Sequence, residues 1–392
     1  MYQQQVQETP QLKVKQSFFR DTFNKKYNVG FGSPLKDTCS RCFELARKIE
    51  TASTSEEKVT YMTQKRIHTL KAKAFYQLLK VEPENCISLS FDCQKNNPLP
   101  KLTDQAAYFS RQLNMYNFTI VIGTSKSTLD NVRTYYWCEN EHSKSSNEIA
   151  SAVYHTLTNL VIPHNIDKIR LFADGCGGQN KNTTLLGMCS NWLFSHAPSH
   201  VKQLEIIFPM VGHSFLPPDR IFAKIERETK KNRSYAIHKF VNLFKEHATV
   251  YHLGDGNVEV HDWKKEVSAT LKTPGNWYFK FNLSKRFILH RGRQNVSVQG
   301  EENYRNQIGQ LKYVTKRRKK ITDMAPSIVR RGNKVNIKKI LDVANLLKKH
   351  FGEDWRTIDT LKYYKDVEED NDNFEEHESL QCVPLEETEN FI

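Results

Sequence analysis

Long apolar runs are missing from this chain. Nowhere do about 20 successive residues carry the hydrophobicity a membrane-spanning helix needs, so no membrane partner is expected. The amino end, MYQQQVQETPQ, shows no basic segment followed by an apolar stretch, and no secretory leader is read from it. Cysteine is sparse, eight in 392 residues at irregular spacings. In a large chain that excludes a disulfide scaffold and points to reduced thiols. The expected compartment is nuclear or cytoplasmic. Lysine and arginine vanish from one stretch, Asp366–Ile392, which holds 11 Asp and Glu. A segment this acidic is expected to be disordered.

What is present is one-sided in charge. The whole chain carries +14, and the residues ahead of Asp366 carry +25. Such a body suits a polyanion, because neutralising phosphates releases their counterions. DNA is the expected partner, although a solvated lysine-rich surface has the same composition. With 22 Phe, 16 Tyr and 5 Trp the chain can build a packed core and is not a disordered protein. Its length allows one large domain with appendages, or two to three domains.

The most informative stretch is 168–182, KIRLFADGCGGQNKN. An apolar run ends at Asp174, three glycines follow, and a helical pattern begins beyond Asn182. This predicts a buried strand delivering a carboxylate at its end, a tight turn and a capped helix. A carboxylate so placed is costly unless it is paired, hydrogen-bonded or holding a metal. A second run, ISLSF at 87–91, also ends on an acid, Asp92. Strands are further expected at FTIVI (118–122), VRTYYWC (132–138) and LEIIFPMV (204–211). Helices are expected at 147–161, with Asn147 as cap, and from Asp219 after Pro217-Pro218.

The order over 86–232 is β-β-β-α-β-α-β-α, an α/β arrangement with the signature of the ribonuclease H-like fold. In a five-stranded sheet of that kind Asp92 and Asp174 sit at adjacent strand ends. The third acid is Asp219 at the start of the last helix, with Glu226 in reserve two turns later on the same face. Three carboxylates suit two Mg²⁺ or Mn²⁺ ions about 4 Å apart that clamp the oxygens of a phosphodiester. His213 is expected to shuttle a proton to the leaving group. Gln179, Asn180, Lys181 and Asn182 are expected to touch phosphate or orient a carboxylate. Taken singly, Asp92, Asp174 and Asp219 also read as turn or cap residues.

Cys39 and Cys42 form a CxxC before a long helical pattern, half of a tetrahedral Zn²⁺ site. His68 is the nearest third ligand and no fourth is apparent; a redox pair and a chance pair share the spacing. The expected divisions are 1–85 with the CxxC and long helix, and 86–250 as the core. They continue with 251–320 as a small β-rich module or sheet appendage, 321–365 as a helical segment and 366–392 as the acidic tail. Lys316, Arg317, Arg318, Lys319 and Lys320 form a basic cluster that reads as a phosphate patch, a nuclear import signal or a solvated linker.

FADGCGGQNKN, preceded by FDCQKNNPLPK and followed by GHSFLPPDRIFAKIE, resembles an uncharacterised transposon-associated family of unknown-function domains. The likeness runs over about residues 30–365 and takes in DTCSRC and SNEIAS. It implies similarity to ribonuclease H-like transposases of the DDE/DDD type, with Asp92, Asp174 and Asp219 as the triad. Relatives carry more sequence ahead of the CxxC, and the commoner third acid, Glu, is met here only if Glu226 takes the role. The expected function is a transposase-derived nuclease or integrase-like protein acting on DNA, as a homo-oligomer and with no small-molecule cofactor. The alternatives are a domesticated transposase that binds nucleic acid without catalysis, and an interaction protein whose acids lie apart.

Overall fold

The computed structural model describes residues 38–124, 127–231, 236–256, 258–304 and 309–379, together with Phe18 and Thr22. Most of the segment ahead of the CxxC and the last part of the acidic tail thus lie outside the described residues.

At the centre is a mixed α/β sheet. Strand β1 (Cys86–Cys93) pairs antiparallel with β3 (Leu113–Ile122) on one side and parallel with β5 (Lys168–Ala173) on the other. Beyond β3 lies β4 (Val132–Cys138), antiparallel; beyond β5 lies β6 (Gln203–Ile207), parallel. The five expected strands are all there, but the sheet is larger, with nine strands among the described residues. The loop expected at NNPLP contributes a short strand, β2 (Asn97–Leu99), against β3. Strand β7 (Thr249–His252) extends the β4 edge, and β8 (Arg286–Arg291) with β9 (Val296–Glu301) extends the β6 edge. Residues 251–300 are therefore an appendage of the same sheet on both of its edges.

Central strands are buried on both faces, which is why ISLSF and KIRLFA read as runs with little alternation. Their side chains still divide by parity. Leu89, Phe91, Leu171 and Ala173 face a core made with helices α4 (Ser146–Thr158), α5 (Thr183–Asn191) and α8 (Trp263–Thr270). Val121, Met115 and Leu113 face the other way, onto α6 (Pro217–Lys231), α7 (Ile237–Lys245), α9 (Ile337–Phe351) and α10 (Lys362–Ser379). On that second face Phe172 and Ile207 also meet Phe75 of α2 (Ser55–Lys80), which is preceded by α1 (Ser40–Glu50). A short helix α3 (Gln105–Phe109) lies between β2 and β3. Burying a side chain such as Phe91 or Phe118 contributes about 1.5–3 kcal/mol, so this double-sided core dominates stability.

Two local expectations are corrected. The cap of α4 is Ser145, whose N–H and hydroxyl both bond the Glu148 carboxylate at 3.0 and 2.6 Å. Asn147 instead ties α4 to α8, through Asp262 at 3.1 Å and the Lys264 N–H at 2.8 Å. The acidic segment is helical as far as Ser379, because Tyr364 and Val367 anchor α10 in the core; 380–392 fall outside the described residues.

Candidate functional site

Phe91 pairs with Ala173 across the parallel β1–β5 ladder, so Asp92 and Asp174 leave the sheet side by side. Phe91 and Ala173 point into the α4–α5 core. Alternation therefore sends Asp92 and Asp174 to the opposite face, the one covered by α6. Asp219 stands in the first turn of α6, where its carboxylate accepts the Leu216 N–H at 2.7 Å. The expected trio is thus brought to one end of one sheet face.

The three acids feel one another. Burial, then the charge of Asp174 and to a smaller extent that of Asp219, pushes the Asp92 carboxyl up to about 7. Its bond from the Cys93 N–H, at 2.7 Å, and the nearby Lys144 act in the opposite sense. Asp219 is also raised, by burial first and by Asp174 after the opposing Leu216 bond. Asp174 accepts the Cys176 N–H at 3.2 Å and the side-chain amide of Asn180. Asn180 is fully buried and its own carbonyl oxygen has no partner, so it fixes the Asp174 carboxylate and does not reach outward. The Cys176 carbonyl closes the turn by accepting from Asn180 and Lys181, both at 2.8 Å. A Cβ at Gly175 or Gly178 would meet nothing within 4 Å, leaving an open, exposed rim beside Asp174.

A second cluster adjoins the first. Cys39 Sγ lies 3.3 Å from His68 Nε2, Cys42 Sγ lies 3.5 Å from His213 Nε2, and the two Nε2 atoms are 3.1 Å apart. One ligand atom from each of the four falls within 4.8 Å of all the others. Tetrahedral geometry with Zn–S of about 2.3 Å and Zn–N of about 2.0–2.1 Å requires edges of roughly 3.3–3.8 Å, close to those seen. The group can hold a metal such as zinc, and it supplies the fourth ligand that spacing alone did not reveal. Cys39 and Cys42 bracket the start of α1, His68 comes from α2, and His213 from the loop between β6 and α6. That loop can approach only because residue 212 is glycine. Its φ is +80°, and a Cβ there would meet Cys39 Sγ at 2.8 Å and Cys39 Cβ at 2.9 Å. Tyr76 of α2 holds the same loop by donating to the His213 carbonyl at 3.2 Å. A cleft of about 580 Å³, lined by Cys39, Tyr76, His213, Phe215 and Asp219, joins the two clusters.

Other expected site residues are placed differently. The His213 ring nitrogen that a proton shuttle needs is turned to the thiols and to His68. Glu226 is engaged by Lys95 at 3.0 Å. Asn182 caps α5 through the Leu185 N–H at 2.9 Å, as the helix pattern predicts. Gln179 lies on the half-buried rim of the turn and its carbonyl accepts from Asn182 at 3.0 Å. Lys181 donates to the Asn282 carbonyl at 2.7 Å, and burial lowers it to about 8, so it braces the turn against the 274–283 loop. Lys316, Arg317, Arg318, Lys319 and Lys320 form an exposed turn packed beside α8, on the side of the sheet away from the acids. Sequence reasoning also passed over a buried ion network across β5, β6 and β8. There Glu205, wholly buried, accepts from Arg170 at 3.0 Å and Arg286 at 2.8 Å.

One family model matches the chain, a domain of unknown function (DUF7869), over residues 117–299. The matched span runs from β3 into β9 and holds Asp174, His213 and Asp219, while Asp92, Cys39, Cys42 and His68 precede it. Neither the curated proteins nor the solved structures return a match to this chain.

Proposed function

We propose that this chain is a metal-dependent enzyme of DNA phosphodiester cleavage or joining, built on a ribonuclease H-like core and derived from a transposase. The observation that carries it is the convergence of Asp92, Asp174 and Asp219 on one face at the carboxyl ends of β1 and β5. The consecutive order β4-β3-β1-β5-β6, with only the first three strands antiparallel, supports the same core. Hard carboxylate oxygens fit Mg²⁺ or Mn²⁺, and Asp92 is raised by burial first and then by the charge of Asp174 beside it. When bound, such ions neutralise charge on the attacking and leaving oxygens. Asp92 and Asp174 would supply ligand oxygens, Asn180 holds the Asp174 carboxylate in place, and Asp219 would add a third donor from α6. The cysteine–histidine cluster would pin the loop that leads to Asp219. Purified chain should cut duplex DNA only with Mn²⁺ or Mg²⁺, and Asp174→Asn should reduce cleavage to background while leaving the fold and DNA binding intact. Cleavage that survives Asp174→Asn would remove the proposal.

A binding protein without catalysis is the second reading, favoured by one observation. Among the described residues the only set of three or more such donors that gathers within 4.8 Å of one another is that of the cysteines and histidines. On that reading Mn²⁺ binds no more tightly to the native chain than to Asp174→Asn, as calorimetric titration would reveal.

A further inference from the structure

Helix α6 carries a line of cations on its outer face. Ile221, Phe222 and Ile225 are buried, while Arg220, Lys224, Arg227 and Lys230 are exposed. Their spacings of four, three and three residues set them in one row, about 15 Å long at 1.5 Å per residue. No carboxylate of the described residues pairs with any of the four. Of the two glutamates on the same helix, Glu226 is taken by Lys95 and Glu228 has a partner of its own. Lys101 reaches in from the β2 side to the Thr229 carbonyl, and the charges of Lys95 and Lys230 add to burial in lowering its pKa. Cations thus gather along this helix without a matching set of acids. At the other end the row begins beside Asp219, where the Arg220 guanidinium lies 5.9 Å from the ring centre of half-exposed Phe215, a wall of the acid-lined cleft.

We infer that the row Arg220–Lys224–Arg227–Lys230 is a docking track for the phosphate backbone of duplex DNA, leading it to the carboxylates of Asp92, Asp174 and Asp219. A stripe of unpaired arginine and lysine along one helix face matches a regular polyanion, and each phosphate it neutralises releases counterions. Choosing DNA over other polyanions rests on the phosphodiester chemistry proposed above. The basic turn 316–320 cannot share this contact, since it packs across the sheet beside α8.

The test uses the full chain bearing Asp174→Asn, without added divalent metal, and a fluorescent 30-base-pair duplex titrated across a series of salt concentrations. Lys224→Ala/Arg227→Ala should make the slope of log K against log salt shallower by about 0.9 for each lost contact. Affinity at fixed moderate salt should fall about tenfold or more. The charge-matched pair Lys264→Ala/Lys265→Ala, two exposed residues of α8, should match the parent. Should the alanine pair fold poorly, Lys224→Gln/Arg227→Gln repeats the measurement. An unchanged slope in a folded stripe variant overturns the inference. So does a slope that moves only when Lys316–Lys320 are neutralised, or binding of duplex RNA with none of DNA. Stripe-dependent binding in a chain that never cleaves upholds the track and discards the nuclease reading alone.

Discussion

Two groups of metal-type donors meet at one cleft, where Asp219 of the first faces Cys39 and His213 of the second, and they are built on opposite plans. Cys39, Cys42, His68 and His213 approach within hydrogen-bonding distances of one another. Asp92, Asp174 and Asp219 do not close up in this way, and burial together with the charge of Asp174 raises Asp92 and Asp219. The difference follows from charge. Thiols and imidazoles can be neutral, so packing alone can bring them close, and a metal then displaces protons as it binds. Carboxylates are charged at neutral pH, so without a cation they separate or hold a proton. The soft cluster is fixed by tertiary structure, with Gly212 and Tyr76 as its wedges. In the hard group Asp92 and Asp174 are fixed by strand register and Asp219 by the first turn of α6, with Asp92 and Asp219 raised by burial and by the charge of Asp174.

Breaking the soft cluster should have the largest effect. Native chain should bind about one Zn²⁺ or Co²⁺, with the Co²⁺ form showing tetrahedral thiolate absorption. His213→Ala should abolish that spectrum and lower stability by more than about 3 kcal/mol. That is less than the roughly 10–16 kcal/mol zinc supplies to isolated fingers, because the sheet core persists. Hydrogen exchange should quicken in α1 and the first half of α2, and much less in β1 and β5. A native chain that binds neither metal would refute the assignment.

The carboxylate side of the comparison is sharpened by pH. Asp92 has an unfolded pKa near 3.9 and a folded one pushed up to about 7, so between these values the folded state holds the extra proton. Stability then falls as pH rises, with the contribution complete below about 4 and gone above about 7. Its size is on the order of a few kcal/mol. Melting without added Mg²⁺ or Mn²⁺ should show native chain losing stability between pH 5 and 8 relative to Asp92→Asn. Adding Mn²⁺ at pH 8 should recover it in the native chain only. Parallel curves for the two proteins would mean that Asp92 is not under this strain.

How much of this was legible in the sequence follows from the range of each interaction. Asp92 and Asp174 could be read because an apolar run stopping at an acid is a local pattern, and parallel pairing of β1 with β5 follows from the helix between β4 and β5. The hairpin β8–β9 could be read as extended runs but not placed, since short extended runs carry no mark of which edge they join, and the four residues of β7 were not readable as a strand at all. Cys39 and Cys42 announced half a site. Its completion by His213, 171 residues away, is set by how α1 and α2 dock on the sheet. The local clue is a glycine followed by histidine leaving a buried strand, a pattern that suits a proton-transfer role equally well. Asn180 and Lys181 looked like ligand contacts because they are polar and follow glycines. Burial shows that they serve the turn itself.

The finest division concerns the third acid, where Asp219 and Glu226 share one helix. Asp219 opens onto the cleft and is raised in part by Asp174, so it belongs to the group. Glu226 sits two turns further, about 10 Å along the axis, and its partner Lys95 is largely exposed. A pair that open to water contributes about 0–1 kcal/mol. Glu226→Gln should therefore change stability by less than about 1 kcal/mol and leave Mn²⁺ affinity at its native value, whereas Asp219→Asn should weaken Mn²⁺ binding measurably at pH 8. Equal losses in the two variants would mean that α6 turns on metal binding to bring Glu226 inward. The Lys95 contact would then be a resting latch, and Lys95→Ala should tighten Mn²⁺ binding by releasing it.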